Sequence, residues 1–218
     1  MGLPDYIGRY WAGAEVLYGA IIAMTFTSAL REVPDFLDVA VTNIVWAALF
    51  CCIAWGIADG LFYVWERSYL VRQENRVIES SRSVSGRGTA VALLGEQLDD
   101  SVLRNLVPER RAAINDLVSR ELADAAGRER VAPREAGTIL LGTFLRSSVA
   151  GLVIVAPFFL VDDVDAALYA LNTLGILLLF AVGYARSLDP GIAARAVGGL
   201  GAAMVGVVIA AITIALGG

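Results

Sequence analysis

Three ionisable residues lie inside long apolar stretches of the sequence, where a charged group is costly and usually functional. These residues are Glu15, Asp59 and Arg146. A charge at the centre of a membrane helix costs roughly 2.5–3.5 kcal/mol, so we expect the three side chains to pair with one another. Two acids facing one arginine leave one carboxylate in excess. The sequence therefore predicts an intramembrane site with titratable groups.

Helical geometry places the two acids at a similar depth. With a rise of 1.5 Å per residue, Asp59 lies roughly 10 Å to the cytoplasmic side of its helix midpoint, and Glu15 lies at about the same level in the first helix. Glu66 follows Asp59 by seven residues and shares its helix face, and the long side chain of Arg146 can extend toward both acids. We therefore predict an ion path or proton relay formed by Glu15, Asp59, Arg146 and Glu66, with Asp59 and Glu15 as candidate metal ligands.

Two interpretations of these charges remain open. In one, they form a structural ion-pair cluster that fixes helix packing. In the other, the carboxylates bind and release a proton or cation, because carboxylate oxygens are hard ligands that titrate. Met24 falls on the helix face opposite Glu15, so we predict that it packs in the core. We predict the same for the adjacent thiols Cys51 and Cys52.

The helices that must position these residues follow from composition and segment length. The chain is 57% hydrophobic with a mean hydropathy of +0.67, which exceeds the values of ordinary soluble domains. A spanning helix needs roughly 20 apolar residues, and five segments qualify: 12–30, 41–65, 137–161, 166–186 and 192–216. We therefore predict an all-α membrane protein with five transmembrane helices and a cytoplasmic helical insert between helices two and three.

Orientation follows from the arginines, which are retained on the cytoplasmic side of a membrane. Twelve of the 17 arginines lie in residues 66–135, and Arg186 and Arg195 flank the loop between helices four and five. The other two loops are acidic. The sequence therefore predicts a protein of the bacterial inner membrane with a cytoplasmic N-terminus and an external C-terminus.

Residues 66–135 differ in composition from the membrane segments on either side, 1–65 and 136–218. Their 12 basic and 12 acidic residues cancel, so we expect neither nucleic-acid binding nor a strongly charged partner surface. Helix two is predicted to continue to about Ser80. Two short helices follow, the first with an apolar stripe over 91–106 and the second beginning at Pro108, with a stripe of Ile114, Leu117, Val118 and Leu122. This module is a candidate site for a cytoplasmic partner.

Small residues recur every fourth position in helix five, a spacing that lets two membrane helices approach closely. Gly56 and Gly60 repeat this spacing beside Asp59, which predicts close approach of a neighbouring backbone. The members of the helix-five ladder are Gly198, Ala202, Gly206 and Ala210.

Several runs of the chain, in this order, resemble a bacterial branch of the vacuolar iron transporter family. They are Leu17-Tyr18-Gly19-Ala20-Ile21-Ile22-Ala23-Met24-Thr25-Phe26-Thr27, Trp55-Gly56-Ile57-Ala58-Asp59-Gly60, Pro157-Phe158-Phe159-Leu160-Val161-Asp162-Asp163, Gly183-Tyr184-Ala185 and Thr213-Ile214-Ala215-Leu216-Gly217-Gly218. Where iron-transporting members carry Asn-Asp-Gly in helix one, this chain has Ile21-Ile22-Ala23. Asp59 is similar to the acid of their second helix.

The resemblance implies a homodimer that exports Fe²⁺, and also Mn²⁺, in exchange for protons. The sequence offers no nucleophile with a base, no phosphate loop and no His, so we expect neither an enzyme nor a resident cofactor. The alternative is a non-transporting membrane protein of the same fold, in which the charges are structural and the insert binds a partner.

Overall fold

The computed structural model describes residues 2–32, 38–83, 85–98, 101–127, 130–188 and 190–217. Within these ranges the chain is helical and contains no strand. The chain divides into two compact units, which are Met1–Tyr63 with Arg134–Gly218, and Val64–Pro133. The second unit corresponds within two residues at each end to the charged module of the sequence.

Eight α-helices make up the described chain. They are α1 (Leu3–Ser28), α2 (Asp38–Ser81), α3 (Arg87–Leu98), α4 (Pro108–Leu122), α5 (Pro133–Val155), α6 (Pro157–Leu160), α7 (Val164–Arg186) and α8 (Ile192–Gly217). Short 3₁₀ turns follow α1 and precede α4. The predicted external loop after helix one falls largely on residues 33–37, which lie outside the described residues.

Four helices are long and apolar enough to cross a membrane, which supports the prediction of a membrane protein. They lie in Asp38–Ser81, Pro133–Val155, Val164–Arg186 and Ile192–Ile209. Helix α1, which carries Glu15, is not one of the four among the residues described. The fifth span therefore stays a prediction.

Local chemistry sets several helix ends. Gly8 interrupts α1 with a positive φ of 81°, a conformation that glycine adopts without steric cost. The predicted third span, 137–161, is divided, since α5 ends at Val155 and Pro157 begins the single turn of α6. The carboxylate of Asp163 accepts a hydrogen bond from the amide of Ala166 at 2.7 Å, which caps the start of α7.

Helices α7 and α8 pack closely through small residues. A Cβ at Gly183 would lie 2.6 Å from the Cβ of Ala202 and 2.7 Å from the carbonyl oxygen of Gly198, and a Cβ at Gly206 would collide with Leu179. The predicted ladder on helix five is thus a packing surface, and its partner is α7 of the same chain. The side chain of the ladder's last member, Ala210, lies outside the described part.

We expect Gly206→Leu to destabilise the protein, because the added side chain must displace Leu179 from the α7–α8 contact. Overpacking of this kind costs about 1–3 kcal/mol, measurable as a lower thermal midpoint in detergent. Gly201→Leu is the matched control, since a Cβ at Gly201 meets nothing within 4 Å in the described structure. Equal midpoints for the two variants would contradict the packing role of this ladder.

The core of the first unit is apolar and includes Met24. Its side chain is buried against Gly175, with Leu171 and Ile154 in the same cluster. Met24 therefore packs as predicted. Cys51 and Cys52 are free thiols, and Cys52 is buried in the same core.

Two predictions for the second unit are confirmed. Helix α2 continues past the apolar stretch and ends at Ser81, and α4 begins at Pro108. The predicted stripe over 91–106 is not one helix, because α3 ends at Leu98 and Val102–Asn105 forms an exposed 3₁₀ turn.

The buried positions of α4 are Asn115 and Ser119, whereas Leu117, predicted to be in the apolar stripe, is exposed. The hydroxyl groups of Ser81 and Ser119 lie 3.2 Å apart, so a hydrogen bond joins the end of α2 to α4. A buried hydroxyl is tolerated when it has such a partner. The other three members of the predicted stripe, Ile114, Val118 and Leu122, are half-buried beside this polar contact.

Candidate functional site

Helices α1, α2 and α5 meet at a tight junction in the first unit. The thiol of Cys52 donates to the carbonyl oxygen of Gly19 at 3.3 Å, and the hydroxyl of Ser147 donates to the carbonyl oxygen of Cys52 at 2.8 Å. A Cβ at Gly19 would collide with the carbonyl oxygen of Ser147. The three backbones are therefore in contact, and their polar groups satisfy one another.

The glycines beside Asp59 allow α5 to approach α2 closely. A Cβ at Gly56 would lie 2.9 Å from the Cα of Phe144, and a Cβ at Gly60 would lie 2.5 Å from Oγ1 of Thr143. The predicted approach of a neighbouring backbone is thus present, and the neighbour is α5. Because Asp59 immediately precedes Gly60, its carboxylate is held near this crossing.

Glu15 lies one helical turn from Gly19 on α1 and is completely buried, with 0% of its surface exposed. Its two carboxylate oxygens make no hydrogen bond of good geometry within the described residues, although the side chains of Asp59 and Tyr63 lie close enough to act on them. The groups that act on its charge are the carboxylate of Asp59, the hydroxyl of Tyr63 and the guanidinium of Arg146. A buried carboxylate without a well-formed hydrogen bond is rare in a folded protein and calls for a functional explanation.

Arg146 does not neutralise the acids by direct contact. Its Nη1 donates to the carbonyl oxygen of Gly142 on its own helix at 3.4 Å. Within the described chain, no ion pair of 4.0 Å or less joins Arg146 to Glu15 or Asp59. The guanidinium therefore acts on Glu15 at longer range, and the two carboxylates interact as like charges.

The structure thus brings Glu15, Asp59 and Arg146 into one electrostatic neighbourhood. Glu66, the fourth predicted residue of the ion path, is exposed and belongs to the second unit.

Two further side chains belong to this neighbourhood, although neither was predicted as a site residue. Tyr63 follows Asp59 by four residues and acts on Glu15 through its hydroxyl. Thr143 is fully buried against Gly60, where its hydroxyl donates to the carbonyl oxygen of Ile139 at 3.0 Å. Tyr63 could have been predicted, because it follows Asp59 by four residues and so lies on the same face of α2. The sequence does not show which face of α5 meets α2, so Thr143 could not be predicted.

The site supplies two carboxylates with hydroxyl groups nearby, which are hard oxygen donors. No group of three or more His, Cys, Asp or Glu side chains that could hold a metal ion occurs in the described ranges. This arrangement is able to exchange a proton between two acids. It is also able to give a passing cation a small number of oxygen ligands.

Comparison with protein-family models finds no match for this chain, and comparison with curated protein sequences finds none either.

Proposed function

We propose that this protein is a membrane transporter that couples the movement of a cation to the movement of protons through Glu15 and Asp59. The observation that carries the proposal is the full burial of Glu15, whose carboxylate faces a second acid, Asp59, and makes no ion pair of 4.0 Å or less in the described structure. A carboxylate serving only to fix helix packing would be expected to hold an ion pair. An acid that binds and releases an ion needs oxygens that are available for that ion.

The second acid, Asp59, makes ion exchange at the site favourable. Asp59 and Glu15 repel each other when both are charged, so a proton or a cation bound between them relieves this repulsion. Arg146 compensates part of the negative charge without occupying the carboxylate oxygens. Binding of a cation would then favour release of a proton, which is the coupling that we propose.

The resemblance to vacuolar iron transporters supports a divalent cation as cargo, with Fe²⁺ and Mn²⁺ as the first candidates and export from the cytosol as the direction. Carboxylate and hydroxyl oxygens suit such ions, whose remaining ligands can be water. The protein is proposed to act as a homodimer in a bacterial inner membrane. The small-residue ladder of α8 is occupied by α7 of the same chain, so a dimer contact would use another surface.

The test is a flux assay in proteoliposomes with an internal pH-sensitive dye. The purified protein is expected to change the internal pH when Fe²⁺ or Mn²⁺ is supplied on one side, and not when the same amount of Na⁺ is supplied. Metal uptake is measured in parallel. Absence of both signals with every cation tested would favour the alternative, a non-transporting membrane protein whose module 66–135 binds a cytoplasmic partner.

A topology with five spans is part of this proposal. The rings of Trp46 and Phe159 lie 6.0 Å apart, so the start of α2 and the segment after α5 reach the same level of the first unit. Aromatic residues often mark the membrane interface. This pairing supports placing the segment around Asp163 on the same side as the start of α2, the side predicted to be external.

We expect a cysteine placed at Ser83 to be labelled only from the cytoplasmic side, and one at Asp163 only from outside, because the arginine-rich segment is retained inside. The background is a chain in which Cys51 and Cys52 are replaced by Ala. The measurement is labelling of intact cells or oriented vesicles by a membrane-impermeant maleimide. Labelling of both positions from one side would exclude the five-span arrangement.

A further inference from the structure

A second charged feature of the first unit is a cavity between α1, α5 and α7. Its volume is about 500 Å³, within the range of ordinary ligand sites. Two guanidinium groups line it, those of Arg146 and Arg186, and its described lining residues include no carboxylate. The rest of the wall is mostly apolar, with Pro4 and Val16 from α1 and Val182 from α7. The cavity is therefore suited to an anion attached to an apolar molecule.

The backbone of α1 is adapted to the second arginine. A Cβ at Gly13 would lie 2.5 Å from Cδ of Arg186 and 3.2 Å from its Nε, so the arginine side chain packs directly against the backbone of α1 at this glycine. Arg186 thus reaches the cavity across the surface of α1. From the sequence alone, Arg186 is an arginine at the end of a predicted helix. Such arginines usually keep the adjacent loop on the cytoplasmic side of the membrane.

We propose that this cavity binds the phosphate of an anionic lipid headgroup. Guanidinium groups match phosphate oxygens in geometry and charge, and basic pockets between membrane helices are typical sites for anionic headgroups. The apolar wall favours a lipid over free phosphate, because it can contact the glycerol and the first methylenes of an acyl chain. Leu188, which is 98% exposed just beyond α7, extends this apolar surface outward.

This inference does not depend on the proposed transport. Binding can be measured in protein that moves no ion, and transport can be measured in membranes of any composition. The two sites share only Arg146, whose guanidinium acts on Glu15 and also lines the cavity. For that reason the variant chosen below is Arg186→Gln, which leaves the acidic site unchanged.

The experiment measures lipid retained by the full chain. Protein is equilibrated with equal amounts of phosphatidylglycerol and phosphatidylcholine in detergent and examined by native mass spectrometry. We expect the unchanged protein to retain phosphatidylglycerol preferentially, and Arg186→Gln to weaken this retention about tenfold, since a charge-assisted hydrogen bond is lost. Arg134→Gln is the matched control, because Arg134 is exposed at the start of α5 and does not line the cavity.

A second measurement requires no variant. Phosphatidylglycerol should raise the thermal midpoint of the unchanged protein more than phosphatidylcholine does, and inorganic phosphate in phosphatidylcholine should not reproduce the rise. An equal rise with inorganic phosphate would overturn the assignment to a lipid. Retention of phosphatidylglycerol by Arg186→Gln at the level of the Arg134→Gln control would overturn the site itself.

Discussion

Asp59→Asn is expected to lose cation-driven proton movement while the protein keeps nearly all of its thermal stability. The change removes a titrating carboxylate but preserves the shape of the side chain beside the α2–α5 crossing at Gly60. Asp59 makes no ion pair with Arg146 within 4.0 Å in the described structure, so no direct electrostatic contact is broken. Loss of a positioned proton-transfer group typically slows transfer on the order of a hundredfold or more.

The measurement combines the proteoliposome flux assay with a thermal melt in detergent. Asp162→Asn is the control, since this carboxylate is exposed in the segment before α7 and outside the site. The structural interpretation makes the opposite prediction. Strong destabilisation of Asp59→Asn that is rescued by adding Arg146→Leu, together with no flux in the unchanged protein, would show that the charges only hold helices together.

Glu15→Gln should also abolish flux, and its thermal midpoint should be no lower than that of the unchanged protein. Glu15 is completely buried, faces the like charge of Asp59 and makes no ion pair within 4.0 Å in the described structure, so a charged carboxylate there contributes little to stability. Glutamine has the same shape and no charge. Breaking a true buried ion pair would instead cost about 3–5 kcal/mol.

The two acids can be compared in one melt series with Glu15→Gln, Asp59→Asn and the double variant. Small, non-additive changes in the midpoint are expected, because neutralising either acid alone already removes the repulsion between the two. A midpoint for Glu15→Gln lower by the amount typical of a broken ion pair would contradict the relay. Retained flux in that variant would show that Glu15 is not on the ion path.

Four of the predicted membrane helices are found as long apolar helices within the described residues, because a long apolar run has few alternatives to a helix in lipid. The start of α4 was also clear, since Pro108 is suited to a first helical turn. The neighbourhood of Glu15, Asp59 and Arg146 followed from depth alone. Charged residues at similar depth in a small bundle have few other places to lie.

What the sequence did not predict depends on contacts between distant residues. Thr143 joins the site because Gly60 leaves room for α5, and a glycine in one helix does not indicate which residue of another helix will fill the space. Ser119 is buried in α4 because it meets Ser81, 38 residues away. Apolar periodicity ranks Leu117 above Ser119 and is therefore wrong about which of the two is buried.

The three-helix junction has a consequence for biogenesis. Helix α1 and the part of α2 up to Tyr63 are synthesised before Val64–Pro133, whereas α5, which supplies Ser147 and Arg146, emerges only afterwards. At ordinary elongation rates this interval lasts on the order of several seconds. During that time the acids of the nascent hairpin lack the cover of α5. In the proposed membrane topology, folding of the acidic site therefore has to wait until the whole charged module has been synthesised.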